Sequence, residues 1–158
     1  MVYVLNIEGK PLMPCKEAKA RKLLKENKAK IYKKEPFTIQ LLFICENQTQ
    51  DITLGVDAGS KHIGLSATTK EKELYAADVE LRNDIVDLLS TRRQNRRTRR
   101  NRLRYRKPRF NNRVHSKKNG WLAPSVEQKI QTHFKVVEDV HKLLPITKIV
   151  VEIASFDI

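Results

Sequence analysis

The chain has 158 residues, of which 40% are hydrophobic, and a formal net charge of +14 at pH 7. This length fits one domain, or one domain with a small module, and folding would bury roughly two thirds of the surface of the unfolded chain. No run approaches the roughly 18 apolar residues of a membrane span, and the first residues lack the pattern of a signal peptide. The composition therefore argues against a membrane-spanning protein and predicts a soluble, cytoplasmic one.

Residues 1–45 are predicted to form a small module that is itself basic, with ten basic and four acidic residues in its first 36 positions. Apolar residues that alternate or recur at helical spacing predict its elements. These are a strand at 2–7, a turn at 8–11, a helix at 15–27 and strands at 29–32 and 37–44. Cys15 and Cys45 lack the spacing of a metal site or of a disulfide framework, so we interpret both as reduced, structural residues.

Residues 50–87 are predicted to add three strands. The first, Ile52–Asp57, is apolar and ends in a carboxylate. Ala58–Lys61 is predicted to turn, and Ile63–Thr68 to return as the hairpin partner. Leu74–Glu80 alternates well enough to form the third strand.

All of the excess positive charge lies in the next segment. Between Leu88 and Val126 there are fourteen Lys or Arg residues and no Asp or Glu, whereas the remaining 18 basic and 18 acidic residues cancel. Thr91–Arg106 contains no Gly or Pro and is predicted to be one helix that ends before Pro108. Its arginines would cover roughly 260° of the helix surface, which leaves no broad apolar face for a membrane.

Such a helix suits a groove between phosphate backbones, so a polyanion is its predicted partner. Arginine predominates over lysine, which favours bidentate phosphate contacts and stacking on bases, as in RNA recognition. The alternative is a solvated, disordered basic segment. The predicted nucleic-acid-binding residues are Arg92, Arg93, Arg96, Arg97, Arg99, Arg100, Arg102, Arg104, Arg106, Arg109 and Arg113.

The last segment, 119–158, is predicted to contain one helix and one strand. Apolar residues recur at helical spacing from Val126 to Leu144, between Pro124 and Pro145. The β-branched run that follows predicts a strand at 146–152, again ending in a carboxylate. A helix packed across strands indicates an α/β or α+β arrangement. Trp121 could stack on a base or fill the hydrophobic core, and we favour the core.

Asp57 and Glu152 therefore end two strands that are otherwise strongly apolar. Charged groups at such positions are costly unless they bind something, and two carboxylates from neighbouring strands offer hard oxygen ligands for Mg²⁺. Phosphodiester cleavage by two metal ions uses such a set, usually with a third or fourth acidic ligand. The alternative is that both carboxylates only cap turns.

Six motifs taken together resemble the IscB family, which consists of transposon-encoded, RNA-guided DNA nucleases. The resemblance runs in order along the chain from residue 2 to residue 158. The motifs are Pro11-Leu12-Met13-Pro14, Gly55-Val56-Asp57-Ala58-Gly59 followed by Ile63-Gly64, Arg96-Arg97-Thr98-Arg99-Arg100, Arg109-Phe110-Asn111-Asn112-Arg113, Gly120-Trp121-Leu122 and Val151-Glu152.

The resemblance implies an α/β fold: a small N-terminal α+β PLMP-like module, then an incomplete RNase H-like (RuvC) mixed sheet interrupted by a long arginine-rich helix. Asp57 would be the first RuvC carboxylate, on the first strand of the nuclease sheet, and Glu152 the second, on its fourth strand. Both would be catalytic and would bind Mg²⁺. The arginine-rich segment would be the bridge helix, which lies between guide RNA and protein. The implied domains are 1–45 (PLMP-like), 50–87 (RuvC-like part I), 88–118 (bridge helix and basic loop) and 119–158 (RuvC-like part II).

The family also implies parts that these residues do not supply. An HNH nuclease domain and a third RuvC motif with further metal ligands would follow Glu152, and His62, His115, His133 and His141 are predicted to be surface or satisfied histidines. We therefore expect an N-terminal portion that binds guide RNA, holds Mg²⁺ weakly and cleaves little by itself. Target DNA, and a completing polypeptide with HNH and the third RuvC motif, are the further implied partners.

Two other functions remain open at this point. The chain could be a stand-alone RNA-binding protein whose RNase H-like part is only a scaffold. A basic ribosome-associated or chromatin-like protein would explain the charge but not the two carboxylates at strand ends.

Overall fold

The computed structural model describes residues 1–46, 48–103 and 119–152. These residues form eight strands and three helices, and the strands lie in two mixed sheets of four strands each. The α/β class predicted from the sequence is confirmed. In chain order the elements are β1 (Val2–Leu5), β2 (Pro11–Cys15), α1 (Glu17–Lys25), β3 (Ala29–Lys33), β4 (Thr38–Leu41), β5 (Thr53–Ala58), β6 (His62–Thr68), β7 (Glu73–Glu80), α2 (Ile85–Leu103), α3 (Pro124–His141) and β8 (Lys148–Glu152).

The chain divides into two compact units. One unit contains residues 1–80 and the chain from residue 133 onward, and therefore both sheets. The other contains residues 81–132, and therefore α2. Helix α3 crosses the boundary, so its C-terminal half belongs to the unit of the sheets. The four segments inferred from the sequence stay a prediction.

The first sheet has the order β2-β1-β4-β3, in which β1 and β4 run parallel and the other neighbours antiparallel. Cys15 and Cys45 are free thiols that pack against the core of this sheet, as predicted. Burial raises the pKa of the Cys15 thiol, which keeps it protonated and unreactive near neutral pH. The buried residues of this core are Val2, Val4, Leu12, Ala20, Ala29, Ile39 and Leu41.

Strand β2 corrects the sequence analysis, which placed a turn at 8–11 and then began a helix at Cys15. The chain instead forms a strand from Pro11 to Cys15 before α1. Prolines at positions 11 and 14 argue against a strand because proline cannot donate a backbone hydrogen bond. At the edge of a sheet this loss is tolerated, since one side of an edge strand has no neighbour. Strand β2 is such an edge.

The second sheet has the order β7-β6-β5-β8. Strands β5 and β6 pair antiparallel, as the predicted hairpin requires, and β7 also pairs antiparallel with β6. Strand β8 pairs parallel with β5. Along β6 the buried residues Ile63, Leu65 and Ala67 alternate with more exposed ones, so one face of the sheet forms a core. Val140 and Leu144, at and just after the end of α3, are also buried, at 1% and 0% exposure.

The two sheets meet within their unit through aromatic residues. The ring of Tyr3 on β1 lies 6.5 Å from that of Tyr75 on β7, in an edge-on arrangement. The Tyr3 hydroxyl donates a hydrogen bond to the carbonyl oxygen of Leu74 at 3.4 Å. Burial raises the pKa of both tyrosines, so both hydroxyls stay protonated as donors over the physiological range.

Several large apolar side chains are exposed. Trp121 is 49% exposed, so the prediction that it fills the hydrophobic core is wrong. At the edge of the second sheet, Ile149, Val150 and Val151 of β8 are 43–50% exposed. None of the helices in the described part of the chain is both long enough and apolar enough to cross a membrane.

Candidate functional site

The parallel pairing of β5 and β8 brings the two candidate carboxylates together. Asp57 is the register partner of Glu152, at the carboxyl end of each strand. Partners in neighbouring strands are about 5 Å apart and direct their side chains to the same face. Both carboxylates are exposed and line one open cavity of about 910 Å³. The catalytic and metal-binding roles of these residues stay a prediction.

A side-chain clamp at the other end of the two strands fixes this register. The Thr147 hydroxyl donates a hydrogen bond to the carbonyl oxygen of Ile52 at 3.0 Å and accepts one from the Ile52 N–H at 3.1 Å. The N–H of Thr147 also donates to the same Ile52 carbonyl at 3.0 Å. Asp57 lies as far along the chain from Ile52 as Glu152 lies from Thr147. The clamp therefore places the two carboxylates opposite each other.

Removing this clamp should destabilise the sheet. Thr147→Val keeps the shape of the side chain but removes two partly buried hydrogen bonds and leaves the Ile52 N–H without its partner. We therefore expect the free energy of unfolding to fall by about 1–2 kcal/mol. Urea unfolding followed by circular dichroism measures this change. Thr69→Val is the matched control, because Thr69 makes the same two hydrogen bonds with Lys72 in an exposed turn. An equal loss in both variants would contradict a special role for Thr147.

Two glycines shape the surroundings of Asp57. A Cβ at Gly64, which pairs with Asp57 across the hairpin, would lie 3.3 Å from the Asp57 Cβ and 3.8 Å from its Oδ2. Glycine therefore leaves space beside the carboxylate. A Cβ at Gly59 would lie only 2.5 Å from the carbonyl oxygen of His62, so the turn after β5 closes tightly only with glycine there. Nε2 of His133 on α3 lies 3.3 Å from the Gly59 carbonyl oxygen, which positions the same turn.

The sequence analysis missed a third carboxylate, that of Asp78, which lies in one row across the second sheet with Asp57 and Glu152. Asp78 on β7 pairs with Gly64 on β6, so Glu152, Asp57, Gly64 and Asp78 follow one another across four strands. Asp78 lines the same cavity, and its Oδ2 lies 3.4 Å from Nδ1 of His62. Only the register between β6 and β7 reveals this alignment, and alternation along β7 by itself does not.

The donor chemistry of the row fits a hard divalent cation only in part. Adjacent carboxylates are the ligands that Mg²⁺ prefers, and Asp57 and Glu152 are adjacent. Within residues 1–46, 48–103 and 119–152, however, no group of three or more His, Cys, Asp or Glu residues could hold a metal ion. The described residues therefore supply two candidate ligands and would need others for a full coordination sphere.

The second candidate site is α2, which is described from Ile85 to Leu103. The predicted arginine helix is present and begins earlier than the predicted start at Thr91. Every residue from Val86 to Arg102 is exposed, and no ion pair joins an arginine of α2 to another described residue. The helix therefore presents free guanidinium groups to solvent. The arginines described on it are Arg92, Arg93, Arg96, Arg97, Arg99, Arg100 and Arg102.

These arginines repel one another along the helix. Arg92 and Arg96, Arg93 and Arg97, and Arg96 and Arg100 are four residues apart and lie side by side. Each like-charged pair at this spacing costs roughly 0.2–0.5 kcal/mol. An anionic ligand that neutralises the charges would remove this cost and stabilise the helix.

A comparison with protein families points to the same paired arginines of α2. A family model described as RRXRR protein matches residues 2–158 of the chain. The chain belongs to the RRXRR protein family. The Arg96-Arg97-Thr98-Arg99-Arg100 run on α2 has the pattern that the family name spells out. A search of curated proteins returned no match for this RRXRR protein.

Some predicted residues of this RRXRR protein lie outside the described part of the chain. Among the predicted nucleic-acid-binding arginines these are Arg104, Arg106, Arg109 and Arg113, and among the histidines His115. The nucleic-acid-binding role of all the arginines stays a prediction, including those described on α2.

Proposed function

We propose that this RRXRR protein is the N-terminal part of an IscB-type, RNA-guided DNA endonuclease. In this proposal α2 is the bridge helix and binds guide RNA, and β5 and β8 supply two carboxylates of a RuvC-like nuclease site. The observation that carries the proposal is the parallel register in which Asp57 on β5 pairs with Glu152 on β8. The resemblance to IscB proteins assigned these two residues to the first and fourth strands of one nuclease sheet.

The chemistry of the row supports the nuclease part of the proposal. Mg²⁺, when bound, would stabilise negative charge on the attacking and leaving oxygens of a phosphodiester. Asp57 and Glu152 would hold the ion, while glycine at position 64 leaves space beside Asp57 for an additional group. The clamp between Thr147 and Ile52 orients both carboxylates before any ligand binds.

The chemistry of α2 supports the RNA part. From Arg92 to Arg102 the helix is exposed and cationic nearly all round, so this part has no apolar face for a membrane or a protein core, but it fits between two phosphate backbones. Arginine forms bidentate contacts with phosphate and stacks on unpaired bases, which lysine does less well. Phosphate contacts would also relieve the repulsion between neighbouring arginines.

A second candidate is a stand-alone RNA-binding protein in which the second sheet is only a scaffold. The exposed arginines of α2 favour it, because they account for RNA binding without any contribution from Asp57 or Glu152. Preference for RNA separates the two candidates. A nuclease component should bind an RNA with the guide and scaffold of an IscB-type system more tightly than a random RNA of equal length, whereas a generic binder should not.

We expect residues 1–158, tested by themselves with Mg²⁺ and guide RNA, to nick plasmid DNA no faster than the double variant Asp57→Asn, Glu152→Gln. The physical reason is that two carboxylates bind Mg²⁺ weakly and leave a two-metal site incomplete. A gel assay of supercoiled plasmid measures the rate. Guide-dependent nicking that disappears in the double variant would contradict this expectation, because it would show that the described carboxylates suffice.

A further inference from the structure

Strand β8 forms one edge of the second sheet, and its outer side is open. Among the described residues only β5 pairs with β8, because the sheet order β7-β6-β5-β8 ends there. All five residues of β8 are exposed. The three apolar ones, Ile149, Val150 and Val151, are 43%, 46% and 50% exposed. Such an edge presents unpaired N–H and C=O groups that can pair with a further strand.

The hydrogen bonds to the β5 side determine which backbone groups of β8 face outward. The Lys148 N–H donates to the carbonyl oxygen of Ile52, just before β5, at 3.2 Å. Along a strand the N–H and C=O groups of successive residues point alternately to its two sides. Lys148 and every second residue after it therefore direct these groups to β5, whereas Ile149 and Val151 direct theirs to the open edge.

The sequence of β8 is complementary to itself in the antiparallel direction. It reads Lys148-Ile149-Val150-Val151-Glu152, with opposite charges at its ends and apolar residues between them. Two copies paired antiparallel about Val150 would place Lys148 of each copy opposite Glu152 of the other. In the same register Ile149 lies opposite Val151, so their outward N–H and C=O groups exchange hydrogen bonds. One register therefore satisfies both the charges and the backbone groups of this edge.

The other three edge strands of the two sheets, β2, β3 and β7, lack this complementarity. Strand β2 contains two prolines, which cannot donate backbone hydrogen bonds to a neighbour. Both charged residues of β3 are lysines, so two copies would repel each other. Antiparallel pairing of β7 with itself over its full length would place Glu73 opposite Glu80, and like charges directly opposite destabilise a sheet. Strand β8 is therefore the edge best suited to a second copy.

We propose that two copies of this chain associate through β8, paired antiparallel about a two-fold axis at Val150. The two four-stranded sheets then form one continuous sheet. Each contact between the copies is made twice, because a two-fold interface uses the same surface of both. The pairing covers the outer side of β8 and brings the exposed apolar side chains of the two strands side by side. The inference does not rest on the proposed RNA binding, because it uses no residue of α2.

The charge of the chain does not oppose association at this edge. The unit that contains both sheets has 16 basic and 15 acidic residues, whereas the excess positive charge lies between Leu88 and Val126. The sheets therefore belong to a nearly neutral unit. Because one five-residue edge buries less area than a standard stable interface, we expect a weak, reversible dimer.

The test is sedimentation velocity of residues 1–158 over a wide range of micromolar concentrations, with ribonuclease A present so that RNA cannot bridge two copies. Lys148→Glu is the test variant, because it would place two carboxylates opposite each other. Lys148→Glu, Glu152→Lys exchanges the charges and restores the complementarity. Lys70→Glu, in an exposed turn of the same sheet, is the control with the same change in net charge. Far-ultraviolet circular dichroism verifies that each variant is folded.

We expect the average mass of the parent to rise from that of one chain toward that of two as its concentration increases. Lys148→Glu should weaken the dimer at least about 10-fold, because each like-charged pair occurs twice in the interface. The charge-exchange variant should regain the parental affinity to within about 3-fold. Lys70→Glu should also stay within about 3-fold, since distant exposed charges are screened.

Val151→Pro tests the backbone pairing independently of charge. It removes an N–H that faces the open edge, where proline is tolerated, so β8 should keep its pairing with β5. We expect this variant to be folded and monomeric at every concentration. In the parent, amide exchange measured by nuclear magnetic resonance should slow at Ile149 and Val151 as the concentration rises. The Lys148 amide, which is bonded to the β5 side, should exchange equally slowly throughout.

A parent that remains monomeric at every concentration would overturn the inference. An association that ribonuclease A removes would also overturn it, because RNA would then be the bridge. Equal weakening by Lys148→Glu and Lys70→Glu, or a charge-exchange variant that stays as weak as Lys148→Glu, would contradict the register. A mass that rises beyond two chains would contradict the two-fold pairing, since that pairing uses the open edge of both copies.

Discussion

Replacing Arg96, Arg97, Arg99 and Arg100 with glutamine is expected to weaken RNA binding roughly 100-fold at physiological salt. These four arginines are exposed on α2 and have no ion pair with another described residue, so they are free to contact phosphates. Each lost contact with single-stranded RNA should lower the slope of log affinity against log salt by about 0.7, and four contacts by about 3. Fluorescence anisotropy with guide RNA at several salt concentrations measures both quantities.

The matched control keeps the charge and changes the geometry. Lysine at the same four positions preserves the net charge but loses the planar donors that contact phosphate in pairs. We expect this variant to bind with intermediate affinity and nearly the parental salt slope. Equal affinities for the lysine variant and the parent would show that charge alone matters. Parental binding by the glutamine variant would contradict the role assigned to α2.

Leu54→Ala is expected to cost about 2–5 kcal/mol of unfolding free energy. Leu54 lies on β5, the strand that carries Asp57, and its side chain is 0% exposed in the core of the second sheet. Removing it leaves a cavity in the core on the opposite face of the strand that carries Asp57. Because domains of this size are stable by only about 5–15 kcal/mol, the variant should unfold at clearly lower urea concentration.

Leu89→Ala is the matched control, because the same atoms are removed from α2, where Leu89 is 52% exposed. We expect the free energy of unfolding to change by no more than about 0.5 kcal/mol, since surface substitutions away from packed features have small effects on stability. Similar costs for the two leucines would mean that α2 is buried in solution, and the free guanidinium groups proposed to bind RNA would then be unavailable.

Local patterns in the sequence predicted most of the elements. An apolar run followed by a turn at Ala58–Lys61 predicted the hairpin of β5 and β6. Helical spacing of apolar residues predicted α3, which begins at Pro124 as expected. Strand β2 was missed because its two prolines count against a strand unless its place at a sheet edge is known. The sequence left two places open for Trp121, a base stack or the core, and the core was favoured, but the exposure of a side chain depends on what packs nearby.

The candidate site could be predicted in part. The two strand ends with Asp57 and Glu152 are visible in the sequence, but their pairing depends on the Thr147 clamp between residues far apart in the chain. The position of Asp78 cannot be predicted from local patterns either, because only the register of three strands aligns Asp78 with Asp57 through Gly64. Register follows from tertiary pairing, which local periodicity does not contain.

Hydrogen exchange of the backbone amides, with and without guide RNA, tests the central claim most directly. A lone helix of this length with like charges side by side is only marginally stable, so the amides of 86–102 should exchange quickly in the free protein. We predict that guide RNA slows their exchange at least about 10-fold, while β5 and β6 remain equally protected in both states. RNA binding that leaves exchange in α2 unchanged would contradict the claim that this helix holds the RNA.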